Sequence, residues 1–331
     1  MSNSNTPYDD AFRTLLTDCS RLIIPVVNVL FDGNYGLDDE VNLFQNESFI
    51  TAGNDEKRIT DSNFSVGSNI HQRYHIECQC KPDGSVIVRV FEYATQIAIS
   101  TAESETDNTS FNLPKSGILY LHSTKNTKEH TITVVAPNGK KLSYAVPVIR
   151  MYDYSLEKLI DKRLWFLIPF YFFNFNLEEM DSSEEMILEM QKTYRDLWDK
   201  MDGFVDNGLI TEFEKAAIKA MCDKVAEALS NKYRNVQKGV ETVMGGQVLD
   251  YEAKRIAREA AEKAAKEAAI KAEKATKEAV EDNTHRRDLE AVKNMILFGV
   301  PEEKILSKYP KSVYEEAIKI LEQENSEPKE M

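Results

Sequence analysis

The sequence predicts an α/β or α+β fold followed by an all-helical half. Strand-like runs and helical patterns alternate up to about Arg150, which is typical of a sheet packed against helices. Beyond Arg150 the strand patterns disappear, and apolar residues recur at three- and four-residue steps. Residues 251–281 are rich in Ala, Glu and Lys, a composition that predicts one long helix.

Composition and charge limit the functions to be considered. The chain has 331 residues, 42% of them apolar and 29% charged, which is ordinary for a soluble protein of two or three modules. Its formal net charge of −14 argues against nucleic-acid binding by overall electrostatics, so any DNA contact would depend on a local basic surface or a divalent metal. Residues 1–5 lack a signal-peptide core, and the apolar run 164–173 is too short to span a bilayer. We therefore expect a cytoplasmic, reduced protein without a membrane partner.

Periodicity predicts the first helix and weak strands after it. Apolar residues recur at helical spacing over residues 9–31, and Pro25 would break or bend this helix. Turn residues at positions 32–34 would end it. Short strand-like pairs follow at residues 43–44 and 49–50.

Residues 57–79 predict a β-hairpin, because two strand-like runs flank the polar loop at residues 67–69. If the hairpin is centred on Asn69, Asp61 lies opposite Glu77. Two carboxylates at that distance repel each other unless a cation lies between them. The predicted register therefore suggests a cation site at this hairpin.

The predicted site is completed by the residues next to Glu77. Alternate side chains of a strand share a face, so Glu77 and Gln79 should point to one side and Ile76 and Cys78 to the other. Oxygen ligands of this kind suit Mg²⁺ or Mn²⁺, and the backbone carbonyl of Cys78 would complete the shell around the ion. Gln79 would orient a water molecule or contact a phosphate. The competing interpretation is a solvated sheet face without a ligand.

A helix and a second group of strands should follow this hairpin. Residues 86–99 predict a helix with Ser85 at its N-cap, on which Arg89 and Tyr93 lie one turn apart on the same face. Three more strands are predicted at residues 117–122, 131–135 and 142–146. The Asn138-Gly139 pair predicts a tight hairpin between the last two.

The remaining chain should be helical. Four helices are predicted at residues 156–173, 184–204, 211–233 and 235–244. The third of these begins with a predicted capping box formed by Thr211 and Glu214. The Ala/Glu/Lys-rich segment has few large apolar residues, so we favour a solvated helical spacer. The alternative is a coiled coil with an alanine seam, through which two copies of the chain would form a homo-oligomer.

The predicted organisation divides the chain into five parts. They are an α/β domain at 1–150, a helical extension at 151–249, the helical spacer at 250–284, a small three-helix tail at 285–323, and disordered residues at 324–331. Between Arg286 and Glu322 the tail carries seven Lys or Arg and seven Asp or Glu, so its charges cancel. A docking module therefore suits the tail better than a helix-turn-helix DNA reader, which would usually be more basic.

Four stretches of the sequence occur in a diagnostic order. They are Asp9-Asp10-Ala11-Phe12-Arg13, Arg58-Ile59-Thr60-Asp61, Tyr74-His75-Ile76-Glu77-Cys78-Gln79 and Arg89-Val90-Phe91-Glu92-Tyr93. In this order they resemble the core motifs of the PD-(D/E)XK nuclease superfamily. More narrowly, they resemble the recombination-promoting nuclease/putative transposase family, in which Glu-x-Gln often replaces Glu-x-Lys. The apolar run at residues 167–171 and the Ala/Glu/Lys-rich spacer with its helical tail are similar to that family as well.

The resemblance implies a fold and an activity. The implied fold is a restriction-endonuclease-like mixed sheet flanked by helices. The implied activity is hydrolysis of DNA phosphodiester bonds with Mg²⁺ or Mn²⁺, linked to recombination or mobile elements. By matching position, Asp61, Glu77 and Gln79 would be the catalytic residues, and Arg89 and Tyr93 would support them. Asp61 and Glu77 would also hold the metal.

Two points stay open at the level of sequence. An additional acid from the first helix is common in the superfamily, and Asp9, Asp10 and Asp18 are all candidates. Gln79 lacks the positive charge of the more usual lysine. This substitution motivates an alternative function, in which a weakly active or inactive nuclease-fold protein serves as a DNA- or protein-binding scaffold through its helical half.

Overall fold

A six-stranded mixed sheet packed against helices forms the N-terminal part of the protein, and the C-terminal half is helical. The computed structural model describes residues 6–44, 49–50, 57–58, 62–81, 84–105, 107–122, 125–244 and 247–326. The chain divides into two compact units, Met1–Arg255 and Ile256–Met331. The predicted α/β class with a helical C-terminal half is thereby confirmed.

The central strands of the main sheet are parallel and its outer pairs are antiparallel. The described strands are β1 (Val41–Leu43), β2 (Phe49–Ile50), β3 (Lys57–Arg58), β4 (Phe64–Val66), β5 (Arg73–Gln79), β6 (Glu103–Glu105), β7 (Asn108–Ser110), β8 (Lys115–Tyr120), β9 (Glu129–Val135) and β10 (Lys141–Arg150). The main sheet has the order β1-β4-β5-β8-β10-β9, with β8 parallel to both β5 and β10. Two small antiparallel ribbons, β2 with β3 and β6 with β7, lie outside this sheet.

Helices carry the remainder of the described chain. They are α1 (Pro7–Asp18), α2 (Ile24–Phe31), α3 (Val86–Ser100), α4 (Leu156–Asp161), α5 (Leu177–Asp181), α6 (Glu184–Asp206), α7 (Glu212–Ser230), α8 (Arg234–Met244), α9 (Gln247–Leu297), α10 (Glu302–Leu306) and α11 (Lys311–Ser326). Shorter 3₁₀ segments lie at Ser20–Ile23, Met151–Asp153 and Trp165–Asn174.

The predicted first helix is in fact two helices. α1 ends at Asp18, a 3₁₀ turn follows, and the two halves are bent by 114°. Pro25 is not the point of the bend, because it lies in the first turn of α2. A proline is tolerated there, since the first-turn amides have no partner within the helix.

The predicted hairpin register is confirmed where the structure describes it. Phe64 pairs with Tyr74 and Ser65 with Arg73, so the pairing is symmetric about Asn69. The first strand is shorter than expected, because Lys57–Arg58 pairs with β2 instead of β5. Asp61 lies outside the described residues, so its predicted position opposite Glu77 stays a prediction.

The predicted helix 86–99 and the later strands are confirmed by α3, β8, β9 and β10. Gly139 adopts a φ of +80° in the tight turn between β9 and β10, as the Asn-Gly signal requires. Helix α3 packs Val86 and Val90 against one face of the sheet. The other face belongs to the main core, where the close approach of Leu30 in α2 leaves no room for a side chain at Gly117.

The apolar run after α4 is buried, as predicted, but it is not an α-helix. The predicted helix 156–173 ends at Asp161, and Arg163 then adopts a φ of +57°. The 3₁₀ segment Trp165–Asn174 contains Pro169, which cannot donate the hydrogen bond that an α-helix needs. Further on, the predicted capping box at the start of α7 is confirmed, with Thr211 and Glu214 exchanging hydrogen bonds.

The second unit has a core of its own. Its buried residues are Val292, Ile305, Val313 and Ala317, contributed by α9, α10 and α11. Helix α9 continues through the predicted boundary at residues 284–285, so the spacer and the first tail helix are one element. Within the predicted spacer, the large apolar residues Ile256 and Ile270 are exposed, as expected of a solvated helix. Helix α11 extends to Ser326, beyond the predicted start of disorder at residue 324.

No single helix within the described ranges has both the length and the apolar composition needed to cross a membrane. The bent pair Pro7–Asp18 and Ser20–Phe31 meets that criterion by length and composition alone.

Candidate active site on strand β5

Strand β5 has apolar side chains on one face and polar side chains on the other. Tyr74, Ile76 and Cys78 are buried in the main core. Glu77 and Gln79 lie on the other face, since both accept hydrogen bonds from Arg89 of α3. The predicted alternation is therefore confirmed. The Cys78 thiol points away from Glu77, so only its backbone carbonyl could serve the predicted metal site.

Arg89 connects three polar side chains. Its Nε donates to Glu77 Oε1 at 3.1 Å, its Nη2 to Gln79 Oε1 at 2.6 Å, and its Nη1 to Ser85 Oγ at 2.8 Å. Ser85 occupies the predicted N-cap position, but its hydroxyl does not cap the helix. The planar guanidinium can hold three acceptors in fixed directions. Arg89 thus fixes the positions of both β5 side chains relative to α3.

Glu77 is buried, and only one of its two carboxylate oxygens accepts a hydrogen bond from the described residues. It is 5% exposed, and its Oε2 has no hydrogen-bond partner among the described residues. His75 Nε2 lies 3.7 Å from Oε2 and also has no hydrogen bond within the described part of the chain. A buried charged oxygen without a partner is costly, and such atoms are uncommon in proteins. Glu77 Oε2 is therefore a buried acceptor without a hydrogen bond from the described residues.

His75 is held by two neighbours. Its Nδ1 lies 3.4 Å from Ser116 Oγ on the parallel strand β8. The ring of Tyr93 packs edge-on against the imidazole, with the ring centres 5.6 Å apart. Tyr93 is itself buried, so the predicted supporting pair Arg89 and Tyr93 lies at the contact between α3 and the sheet. Both ring nitrogens of His75 are thereby oriented, with Nε2 toward Glu77.

Ser62 extends the hairpin register toward the start of the site. Its hydroxyl accepts from the backbone N–H of Ile76 at 2.7 Å and donates to the Ile76 carbonyl at 3.0 Å. Ser62 therefore lies beside Ile76, which agrees with a register symmetric about Asn69. It follows Asp61 directly in the sequence.

The three candidate acids of the first helix have other partners. Asp9 forms the capping box of α1 with Thr6. Asp10 pairs with Lys224 of α7. Asp18 accepts a hydrogen bond from the hydroxyl of Tyr251, and burial together with this hydrogen bond raises the pKa of Tyr251. None of these contacts is to β5.

The fit of the site to a divalent cation depends on Glu77. The described residues contain no group of three or more His, Cys, Asp and Glu side chains placed to share an ion. Glu77 Oε2 is a suitable hard ligand, because it is a carboxylate oxygen without a hydrogen-bond partner among the described residues. A second carboxylate would have to come from Asp61, and the Arg89 guanidinium already compensates part of the Glu77 charge.

Sequence reasoning missed His75, Ser62 and Ser116. The first two had usable signals, since His75 is two residues before Glu77 and Ser62 faces Ile76 in the predicted register. Ser116 had no such signal, because the parallel pairing of β5 with β8 joins segments separated by α3.

Comparisons of the chain with protein-family models, curated proteins and solved structures give no match. The function is therefore inferred from the geometry of the site and from the order of the sequence motifs.

Proposed function

We propose that this chain is a metal-dependent DNA endonuclease with a restriction-endonuclease-like fold, related to the recombination-promoting nuclease/putative transposase family. The observation that carries the proposal is Glu77. One of its buried oxygens is held by Arg89, and the other has no hydrogen-bond partner among the described residues. A buried carboxylate oxygen without a hydrogen bond is uncommon in proteins, and a catalytic role or a bound ion is one explanation for it.

The order of the elements supports the same proposal. Helices α1 and α2, the β4–β5 hairpin, helix α3 and strand β8 follow one another as the motif order of the superfamily requires. The polar face of β5 and the inner face of α3 meet at Glu77, Gln79 and Arg89. In the proposed nuclease, the polar face of β5 and the supporting residues of α3 would together form the site.

Each residue of the site has a proposed role. Asp61 and Glu77 would hold Mg²⁺ or Mn²⁺, with the Cys78 carbonyl as a further ligand. When bound, the metal would polarise the phosphodiester and lower the pKa of a water molecule. Gln79 is held at both ends, by Arg89 and by the carbonyl of Lys81 at 3.0 Å, so its amide is oriented before substrate arrives.

Arg89 would supply the positive charge that Gln79 lacks. A lysine at position 79 would place an ammonium beside the phosphate, whereas an amide can only position groups. Arg89 Nη2 lies 2.6 Å from Gln79 Oε1, so a cation from the neighbouring helix lies beside the position where a lysine would place its ammonium. It can offset charge that develops on a phosphate close to Gln79.

A plasmid-nicking assay tests this proposal. Supercoiled DNA with Mg²⁺ or Mn²⁺ should be nicked by the wild type, and Glu77→Gln and Asp61→Asn should reduce the rate at least about 100-fold, as loss of a charged group that stabilises a transition state does. Glu214→Gln is the matched control, because it changes another buried glutamate that lies in α7. Equal nicking by the wild type and the two site variants would contradict the proposal.

The Arg89–Glu77 ion pair also favours a second function. An internal guanidinium can replace a metal as the partner of a buried carboxylate, which would leave a nuclease fold without activity. Such a protein would act as a scaffold for DNA or protein, with its helical half available for self-association or docking. Folded wild-type protein that neither nicks DNA nor binds Mn²⁺ would favour this second function.

A further inference from the structure

A cavity of about 760 Å³ lies where the parallel strands β5 and β8 end. Cys80 and Lys81 line it after β5, and Leu121 and His122 line it after β8. The two strand ends stay paired, since the backbone N–H of His122 donates to the Cys80 carbonyl at 2.8 Å. The carboxyl ends of parallel strands are a common place for ligands, because loops and helices diverge there.

Six aromatic residues line the cavity. They are Tyr8, Tyr152, Phe172, Phe173, Phe175 and Tyr233, and we call this cavity the aromatic pocket. Tyr8 packs edge-on against Phe173 with ring centres 4.9 Å apart, which holds the inner wall in place. Tyr152 is 66% exposed, so its ring is accessible at the mouth of the pocket. Burial raises the pKa of the Cys80 thiol, so it presents a neutral surface.

The charge around the pocket differs from that of the whole chain. Lys81 and Lys232 are exposed lining residues, and Glu178 is the carboxylate that lines the pocket with them. The chain as a whole carries a net charge of −14. Two lysines beside aromatic rings suit a ligand that combines a flat ring with negative charge, while the Asp9 carboxylate acts on Tyr8 and Cys80 at the inner wall.

The pocket is adjacent to the candidate active site. The Gln79 side-chain amide donates to the carbonyl of Lys81, a lining residue of the pocket. Lys81 is two residues beyond Gln79, a distance of roughly 7 Å along an extended chain. A nucleotide in the pocket would therefore lie beside the end of strand β5 that follows Gln79.

We infer that the aromatic pocket binds an unpaired nucleobase of single-stranded DNA, with Lys81 and Lys232 contacting the flanking phosphates. Every base offers a flat face for stacking on an aromatic ring. The volume is in the range of pockets that hold one small ligand, so it admits a single base and not a duplex. This inference deepens the proposed nuclease function and depends on it for its biological meaning, but the binding itself needs no metal.

Fluorescence anisotropy in EDTA tests the inference without any cleavage. The probes are a labelled DNA strand of twelve thymidines, the duplex of this strand with its complementary deoxyadenosine strand, and an RNA strand of twelve uridines. We expect the full-length protein to bind the single-stranded DNA at least about 10-fold more tightly than the duplex. Tyr152→Ala should weaken this binding about 5- to 100-fold, the usual effect of removing one stacking ring.

Exposed residues elsewhere supply matched controls. Phe111→Ala removes a ring that is 58% exposed and lies outside the pocket, so it should leave binding unchanged. Lys232→Ala should reduce the slope of log K against log salt by about 0.7, as loss of one phosphate contact does, whereas Lys140→Ala should not. Because Tyr152 and Lys232 are exposed, these substitutions should not unfold the protein.

Three results would overturn the inference. They are duplex binding as tight as single-strand binding, equal losses for Tyr152→Ala and Phe111→Ala, and tighter binding of the RNA. The outcome is separable from the nuclease proposal, because Glu77→Gln should keep single-strand binding in EDTA while losing nicking. Loss of binding in the pocket variants of a protein that never nicks DNA would support the pocket and contradict the nuclease.

Discussion

Two buried glutamates, Glu77 and Glu214, each lie beside an arginine. Within the described chain, both carboxylate oxygens of Glu214 accept hydrogen bonds, whereas only one oxygen of Glu77 does. Both are 5% exposed. Arg21 donates to both oxygens of Glu214, at 2.6 and 2.7 Å, and Thr211 donates to it through its backbone N–H and its hydroxyl. Arg89 donates to one oxygen of Glu77 at 3.1 Å, and the other oxygen has no hydrogen bond within the described chain.

The difference separates a structural acid from a candidate functional acid. Burial by itself would raise the pKa of Glu214, but the hydrogen bonds from Arg21 and Thr211 hold it below its usual value. Glu214 also closes the capping box of α7 and joins this helix to the 3₁₀ turn that contains Arg21. The hydrogen bonds to Glu214 all join elements of the fold, whereas one oxygen of Glu77 accepts no hydrogen bond from the described residues.

The largest expected difference between Glu77 and Glu214 is the effect of a glutamine substitution on the free energy of unfolding. Glu214→Gln replaces a bidentate ion pair and should lower the free energy of unfolding by about 2–3 kcal/mol, since hydrogen bonds to charged groups are lost. Glu77→Gln should lower it by less, about 1 kcal/mol, because the amide oxygen can still accept from Arg89 and only one charge-assisted hydrogen bond is weakened. Urea unfolding at pH 7 measures both values. Equal destabilisation by the two substitutions would contradict the distinction.

The pH dependence of stability should sharpen the same comparison. The pKa of Glu214 is lowered in the folded state, so the unfolded state binds its proton more readily. Its contribution is therefore fully present above the ordinary glutamate pKa of about 4.3 and is lost as the pH falls through the lower folded value. We expect about 1 kcal/mol of stability to depend on Glu214 between pH 6 and pH 3, after allowance for solvent screening.

Thermal melts between pH 6 and pH 3 measure this contribution. Glu214→Gln should flatten the acid slope, and Thr211→Ala, which removes only some of the hydrogen bonds to Glu214, should give an intermediate slope. If the stability of Glu214→Gln falls between pH 6 and pH 3 as steeply as that of the wild type, Glu214 is not the cause of this pH dependence.

A similar but smaller difference in stability is expected between two buried serines, one with a hydrogen-bonded hydroxyl and one without. Ser62 bonds both backbone groups of Ile76, so Ser62→Ala should cost about 1–2 kcal/mol and speed hydrogen exchange at the Ile76 amide. Ser65 is equally buried, but its hydroxyl has no hydrogen-bond partner among the described residues, so Ser65→Ala should be neutral or stabilising. A larger loss for Ser65→Ala than for Ser62→Ala would contradict this explanation.

The parts of the fold that depend on neighbouring residues were predictable from the sequence. Strand alternation placed Glu77 and Gln79 on one face, and the turn at residues 67–69 gave the register that Phe64 and Tyr74 confirm. Helix α3 and the hairpin at Asn138-Gly139 followed from local signals in the same way.

The partners of the buried charges could not be predicted. Arg21 and Glu214 are 193 residues apart, and no local pattern connects them. Arg89 was expected to support the site, but its simultaneous contacts with Glu77, Gln79 and Ser85 depend on how α3 crosses the sheet. The bend after α1 was misplaced for a similar reason, because Pro25 is as compatible with the start of a helix as with a break.

Calorimetric titration with Mn²⁺ tests the central claim most directly, which is that the second oxygen of Glu77 is reserved for a cation. We predict that the wild type and Glu214→Gln bind Mn²⁺ with similar affinity and that Glu77→Gln binds it at least about 10-fold more weakly, since it loses a charged oxygen ligand. Wild-type protein that binds no Mn²⁺, or Glu77→Gln protein that binds it as the wild type does, would contradict the claim.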